Sequence, residues 1–165
     1  MSHAAASVAT ETWQGLPALR LRDASGATAL LSLHGGHLLS WCDPSGRERL
    51  YLSSRTRSGA GQAVRGGVPV IFPKFAQRGP DAALPRHGFA RTRPWVAVAA
   101  DAAAPSAAGA AASVRLAHDE STLALWPHRF ELTLTVRLSG PQLAVELRCG
   151  NTGDSAFDFS AALHT

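Results

Sequence analysis

Lysine is almost missing from this chain: Lys74 is the only one in 165 residues, and arginine supplies the rest of the 16 basic side chains. The matching abundance of Ala, Gly, Arg and Pro reads as the codon bias of a GC-rich genome and carries no function by itself. Cysteine is scarce as well. Cys42 and Cys149 are the only two, in no CxxC spacing and each within an alternating apolar run. That pattern excludes a disulfide framework and reads as buried free thiols in a reducing compartment. No stretch approaches the ~20 apolar residues of a membrane span. The first nine residues lack a basic segment followed by a long apolar core, so no signal peptide is expected. The expected location is the cytoplasm, with no membrane partner.

Also missing is a dense basic run. The formal net charge is +4, but the arginines are scattered and no nucleic-acid-binding motif is present, so nucleic acid is not an expected partner. A small phosphorylated ligand needs only two or three well-placed cations, and the charge permits one. Helix signals are thin. The Ala-rich piece at 100–113 is broken by Pro105 and Gly109 and reads as a low-complexity loop.

What is present is strand periodicity. Phe130, Leu132, Leu134, Val136 and Leu138 alternate with Glu131, Thr133, Thr135 and Arg137, the period of a half-buried strand. A Ser-Gly-Pro-Gln turn follows, then Leu143, Val145, Leu147 and Cys149 alternate in turn, which predicts an antiparallel hairpin. Shorter strands are expected at 19–21, 29–33, 37–42, 49–52, 95–99 and 114–117. A last one is expected to carry Phe157, Phe159, Ala161 and Leu163. Many short strands with Gly and Pro turns predict an all-β sandwich or barrel, one domain over 1–165 with an N-terminal tail of about 12 residues. On the last strand His164 falls opposite the apolar row, with Asp158, Ser160 and Ala162.

The chemistry concentrates in 64–95. Arg65-Gly66-Gly67 starts a run in which Pro69 and Pro73 flank Val70, Ile71 and Phe72. Two prolines around so short a run argue for a sheet edge or a loop across the mouth of a site. The glycines allow close backbone approach to a ligand. Arginine can grip a phosphate through two parallel hydrogen bonds; the alternative is that these arginines pair with surface carboxylates. His34 and His37 stand three apart, a spacing that points them to opposite faces of a strand, so no metal site is expected.

RGGVPVIFP followed by HGFARTRPW resembles the hexose-6-phosphate mutarotase branch of the aldose 1-epimerase superfamily. Gly35-Gly36-His37-Leu38-Leu39-Ser40-Trp41, Trp126-Pro127-His128-Arg129-Phe130-Glu131-Leu132, and Asn151-Thr152-Gly153 with Ala162-Leu163-His164-Thr165 agree in order. The resemblance implies an antiparallel β-sandwich of the galactose-mutarotase-like type, here an N-terminal portion, with a small phosphosugar as ligand and no cofactor. It implies anomer interconversion of a hexose 6-phosphate, glucose 6-phosphate first, with His164 as catalytic acid and His87, next to Arg86, as a second catalytic candidate that would mainly orient the sugar. Arg65, Arg86 and Arg91 would bind the substrate. The general-base glutamate of the family would lie beyond the last residue, leaving these 165 residues inactive alone. Lys74 and Ala76 depart from the Gln and Gly common in relatives, and Lys74 would either add a cation near the phosphate or point to solvent. The competing class is a non-catalytic phosphosugar- or carbohydrate-binding module.

Overall fold

The computed structural model describes residues 5–57, 59, 61–77, 83–99 and 108–165. Strands β1 (Ser7–Trp13), β2 (Leu16–Arg22), β3 (Thr28–Ser32) and β4 (His37–Cys42) form an antiparallel sheet in chain order. A two-residue strand, β5 (Val70–Ile71), follows. Strands β6 (Val96–Val98), β7 (Ala110–Ala117), β8 (Phe130–Ser139) and β9 (Gln142–Asn151) then build a second antiparallel sheet. Finally β10 (Ala162–Leu163) returns to pair with β5.

The two sheets face each other as a sandwich. Leu19, Leu21, Ala29, Leu31 and Leu38 from the first meet Val114, Leu116, Leu132, Leu134 and Val136 from the second. A fully buried aliphatic side chain of this size contributes roughly 1.5–3 kcal/mol, so these rows set the strand register. On β8 the period-two reading holds, and the one buried polar residue on its other face, Thr135, is satisfied by Ser113 at 2.8 Å. The β8–β9 hairpin forms as predicted, with Ser139 opposite Gln142.

Several expectations are corrected. The tail ends by residue 6, because 7–13 pair with β2; the row is largely exposed and carries no apolar alternation to betray it. Residues 49–52 form no strand, only isolated bridges from Glu48 to Cys42 and from Leu52 to Gly66. Residues 110–113, assigned to the Ala-rich loop, begin β7, while 100–107 lie outside the described residues. Of the last expected strand only β10 is regular. Phe157 instead packs on Trp126 and Phe159 on Phe72. A short helix, α1 (Glu120–Leu125), is present with Asp119 as its N-cap, accepting from the Thr122 N–H at 2.8 Å. Cys42 and Cys149 are free but only half-buried; burial raises the Cys149 thiol pKa. Among the described residues no helix is long and apolar enough to cross a membrane.

One packing feature positions the site. The outer face of the first sheet is also covered: Ala18, Leu30 and Leu39 meet Val64, with Leu52 and Trp13 against them. Val64 thereby anchors the loop that carries Arg55, Arg57 and Arg65.

Candidate active site

The Val70-Ile71-Phe72 run is fully buried and so crosses the core, and β5 is, as the flanking prolines suggest, an edge strand, one of the two in its sheet. Phe72 is the hub of an aromatic cluster, with ring centroids 5.1 Å from Phe130, 5.3 Å from Phe159, 5.4 Å from Trp126 and 6.2 Å from Phe89. Its carbonyl accepts the Phe89 N–H at 3.0 Å. A Cβ on Gly88 would stand 2.0 Å from that same oxygen, and Gly88 has φ +69°, so only glycine fits there. This contact fixes the segment bearing Arg86, His87 and Arg91 against the core.

His87 is held by a reciprocal pair. Its N–H donates to the Ala76 carbonyl at 3.0 Å, and the Ala76 N–H donates to His87 Nδ1 at 3.1 Å. A backbone N–H can only donate, so Nδ1 keeps its lone pair and the ring hydrogen sits on Nε2. Burial lowers the His87 pKa, and Arg91, Arg86 and His164 lower it further. His87 is therefore a neutral imidazole with an Nε2–H to offer. Both residues of the pair are left-handed, His87 at φ 67° and Ala76 at φ 56°. Glycine tolerates that conformation where a β-carbon costs roughly 1 kcal/mol. Ala76→Gly is expected to raise unfolding stability by about 1 kcal/mol in urea melts; a fall of similar size would show that the turn carries no such strain.

His164 reaches the same place from the far end of the chain. Leu163 pairs with Val70, the Ser160 N–H donates to the Pro73 carbonyl at 2.9 Å, and the His164 N–H donates to the Pro69 carbonyl at 3.2 Å. The Ser160 hydroxyl also accepts the Phe75 N–H at 2.7 Å. The His164 and His87 rings lie 5.9 Å apart, with Phe75 at 5.9 and 5.3 Å from them. His164 is exposed but follows a two-residue strand, so the polar strand face expected for it with Asp158, Ser160 and Ala162 does not exist.

Arg91 links this histidine pair to a second feature. Its guanidinium donates to the Arg86 carbonyl at 3.0 Å, and its buried Nε–H has no partner among the described residues. Burial lowers its pKa, with Arg86 adding to the effect. Arg91 also lines a cleft of about 590 Å³ with Arg55, Thr56, Arg57, Gln62, Ala63, Val64 and Arg65. Arg65, Arg86 and Arg91 form no ion pair with a carboxylate among the described residues, contrary to the alternative weighed for them. Lys74 is 5% exposed, so it does not point to solvent. The sequence reading missed Arg55, Arg57 and Phe75. Arg-Thr-Arg shortly before Arg65-Gly66-Gly67 was the available signal.

Beneath the cleft, His37 Nε2 donates to the Gly66 carbonyl at 2.7 Å and His34 Nε2 to the Gln62 carbonyl at 2.6 Å. The two do not share a strand: His34 sits in the turn before β4 and His37 opens it. Gly66 and Gly67 have φ +96° and +63°, and a Cβ on Gly67 would meet the Leu38 carbonyl at 2.3 Å. Desolvation, with His34 and Arg91 nearby, lowers the His37 pKa from 6.5 to about 4. The unfolded chain would take up a proton that folded His37 refuses. Its contribution to stability is thus fully present above pH 6.5 and is lost as pH falls toward 4. Urea melts across that interval should show the loss, and His37→Gln, which keeps an N–H for Gly66 but cannot titrate, should flatten it. An identical slope in the variant would assign the loss to other groups.

The family model "Aldose 1-epimerase" matches residues 17–165. A Cenchrus ciliaris protein named "Putative glucose-6-phosphate 1-epimerase" is 36% identical over 161 residues, 94% of this chain and 48% of that protein. A protein of the same name from Escherichia coli K12 is 39% identical over 140 residues, 83% of this chain and 44% of its own. The crystal structure of a "putative mutarotase" from Salmonella typhimurium superimposes with TM-score 0.74 at 31% identity, over 87% of this chain and 46% of that one. A galactose mutarotase-like protein from Clostridium acetobutylicum shares the fold, with TM-score 0.71 at 18% identity over 89% and 49%. The chain belongs to the aldose 1-epimerase family, and it spans about half the length of the curated relatives it matches.

Proposed function

We propose that this chain carries the acid and the phosphate-binding side of a cytoplasmic enzyme that interconverts the α and β anomers of a hexose 6-phosphate. Glucose 6-phosphate is the first candidate, as the names of the relatives suggest. The observation that carries the reading is the continuity of the site: Arg91 touches the Arg86–His87 segment on one side and lines the arginine cleft on the other. A phosphate held by Arg91 in the cleft would bring the sugar toward the segment that carries His87.

Anomerisation opens the pyranose, rotates about the C1–C2 bond and recloses on the other face of the aldehyde. Opening moves one proton onto the ring oxygen and takes one from the anomeric hydroxyl, so the ring C1–O5 bond breaks while C1=O1 forms. An imidazole, titrating ordinarily near ~6.5, suits the proton delivery, and His164 is assigned that role. His87, neutral with Nε2–H available, orients a sugar oxygen by donating to it. The acceptor of the anomeric proton is assigned to a carboxylate outside these residues, on the family resemblance.

The arginine cleft, which would hold a phosphate with or without turnover, favours a second reading, a phosphosugar-binding module. Exchange NMR between the anomeric resonances of glucose 6-phosphate separates the two. The full-length protein that carries this chain should accelerate exchange well above buffer, and the 165 residues alone should bind without doing so. Binding without acceleration by the full-length protein would establish the module instead.

A further inference from the structure

Arg55 and Arg57 line the same cleft as Arg65 and Arg91. We propose that they form a second anion subsite in the same cleft, so that the site prefers a small ligand with two phosphoryl groups over one with a single phosphate. The sugar part of this inference rests on the phosphosugar reading above; the anion part does not.

The first argument is charge balance. Arg20, Arg49, Arg115, Arg137 and Arg148 are each within ion-pair distance of a glutamate or aspartate. Arg55, Arg57, Arg65 and Arg91 pair with no carboxylate among the described residues, and no acidic side chain lines their cleft. Four guanidinium groups line one cavity with no counter-charge beside them, an arrangement that an anion would balance. A phosphate monoester brings about −1.5 to −2 near neutral pH, which offsets about half of that charge. A second phosphoryl group offsets the remainder. The cavity, at about 590 Å³, lies within the ordinary range for small-molecule sites.

The second argument is that the arginines stand on a fixed frame. Thr56, between Arg55 and Arg57, is buried; its hydroxyl accepts the Arg65 N–H at 2.9 Å and donates to the Arg65 carbonyl at 3.1 Å. The Ser53 N–H donates to that carbonyl too, at 3.0 Å, and Gly67 N–H to Tyr51 at 2.7 Å. His34 and His37 hold the carbonyls of Gln62 and Gly66 from below, and Val64 is sunk into the outer face of the first sheet. One side chain, Thr56, therefore fixes the backbone of Arg55 and Arg57 relative to that of Arg65. Folding thus sets where the backbone of these three cations stands, and a ligand has only their side chains to order.

The test is isothermal titration of the chain with inorganic phosphate, pyrophosphate, glucose 6-phosphate and glucose 1,6-bisphosphate at one fixed ionic strength. Pyrophosphate should bind at least tenfold tighter than phosphate, and the bisphosphate at least tenfold tighter than the monophosphate. Arg55→Gln with Arg57→Gln, both at exposed positions, should erase those preferences by weakening pyrophosphate and the bisphosphate at least tenfold more than phosphate and glucose 6-phosphate. Arg55→Lys with Arg57→Lys should restore part of them. Equal affinity for one and two phosphoryl groups in the wild type overturns the proposal. So does a double variant that weakens both classes alike, or one that keeps the preference. If pyrophosphate is preferred and the preference needs Arg55 and Arg57, but neither sugar phosphate binds, the second subsite stands and the phosphosugar reading falls.

Discussion

Replacing His164 by Asn is expected to lower kcat for anomer interconversion by about 10²–10⁴-fold in the full-length protein that carries this chain, the range for a positioned acid–base group. Three observations lead there. The His164 ring is 5.9 Å from His87, the residue is exposed, and its backbone N–H is tied to the Pro69 carbonyl. Asn keeps a hydrogen-bonding side chain but cannot shuttle a proton, so KM should move much less than kcat. His87→Asn should be milder in kcat and stronger in KM, because a neutral imidazole already committed at Nδ1 to Ala76 has only an orienting donor to lose. Polarimetry and exchange NMR at neutral pH measure both. Turnover near wild type in a correctly folded His164→Asn protein would end the proposed mechanism.

Arg65→Ala and Arg91→Ala should each weaken glucose 6-phosphate binding about tenfold or more, since a charge-assisted hydrogen bond contributes roughly 1.5–3 kcal/mol and tenfold is about 1.4 kcal/mol. Free glucose should bind as before. Arg91 has the larger expected effect, because it also braces Arg86 through that residue's carbonyl. A thermal melt of each variant separates loss of grip from loss of fold. Equal loss for glucose and its phosphate would mean that these arginines shape the protein and do not read the phosphate. Raising the salt concentration should weaken phosphosugar binding in the wild type and do so less in either variant.

Legibility in the sequence followed how local each feature is. The β8–β9 hairpin could be read because ten residues of period-two alternation on each side of a turn leave one solution for which face is buried. Strand β1 could not, because its row faces solvent and shows no apolar alternation. Strand β3 is buried on nearly every residue, since Val64 and Leu52 cover its second face, and that cover comes from a loop far along the chain. Residues 157–161 alternate like a strand, yet Phe157 and Phe159 gain more by packing on the aromatic cluster around Trp126 and Phe72 than by pairing. The buried Lys74 could not be foreseen from a segment with two prolines and an exposed Phe75 beside it.

The site divides in the same way. The residue types and their order, Arg65 before Gly66-Gly67, Arg86-His87-Gly88 and Leu163-His164, stand in the sequence and carried the family likeness. Their convergence does not. His87 meets His164 only because β10 pairs with β5, and that pairing holds because Val70, Ile71 and Phe72 are drawn into the core between the sheets. Arg55 and Arg57 join Arg65 only because Thr56 turns inward to bond the Arg65 backbone, while His34 and His37 fix the carbonyls beneath. Strand period and turn chemistry depend on neighbours a few residues apart, so the chain by itself determined the all-β character and the inventory of reactive groups. Which of those groups share a cleft depends on burial and pairing between segments distant in the chain, and only the tertiary structure decided it.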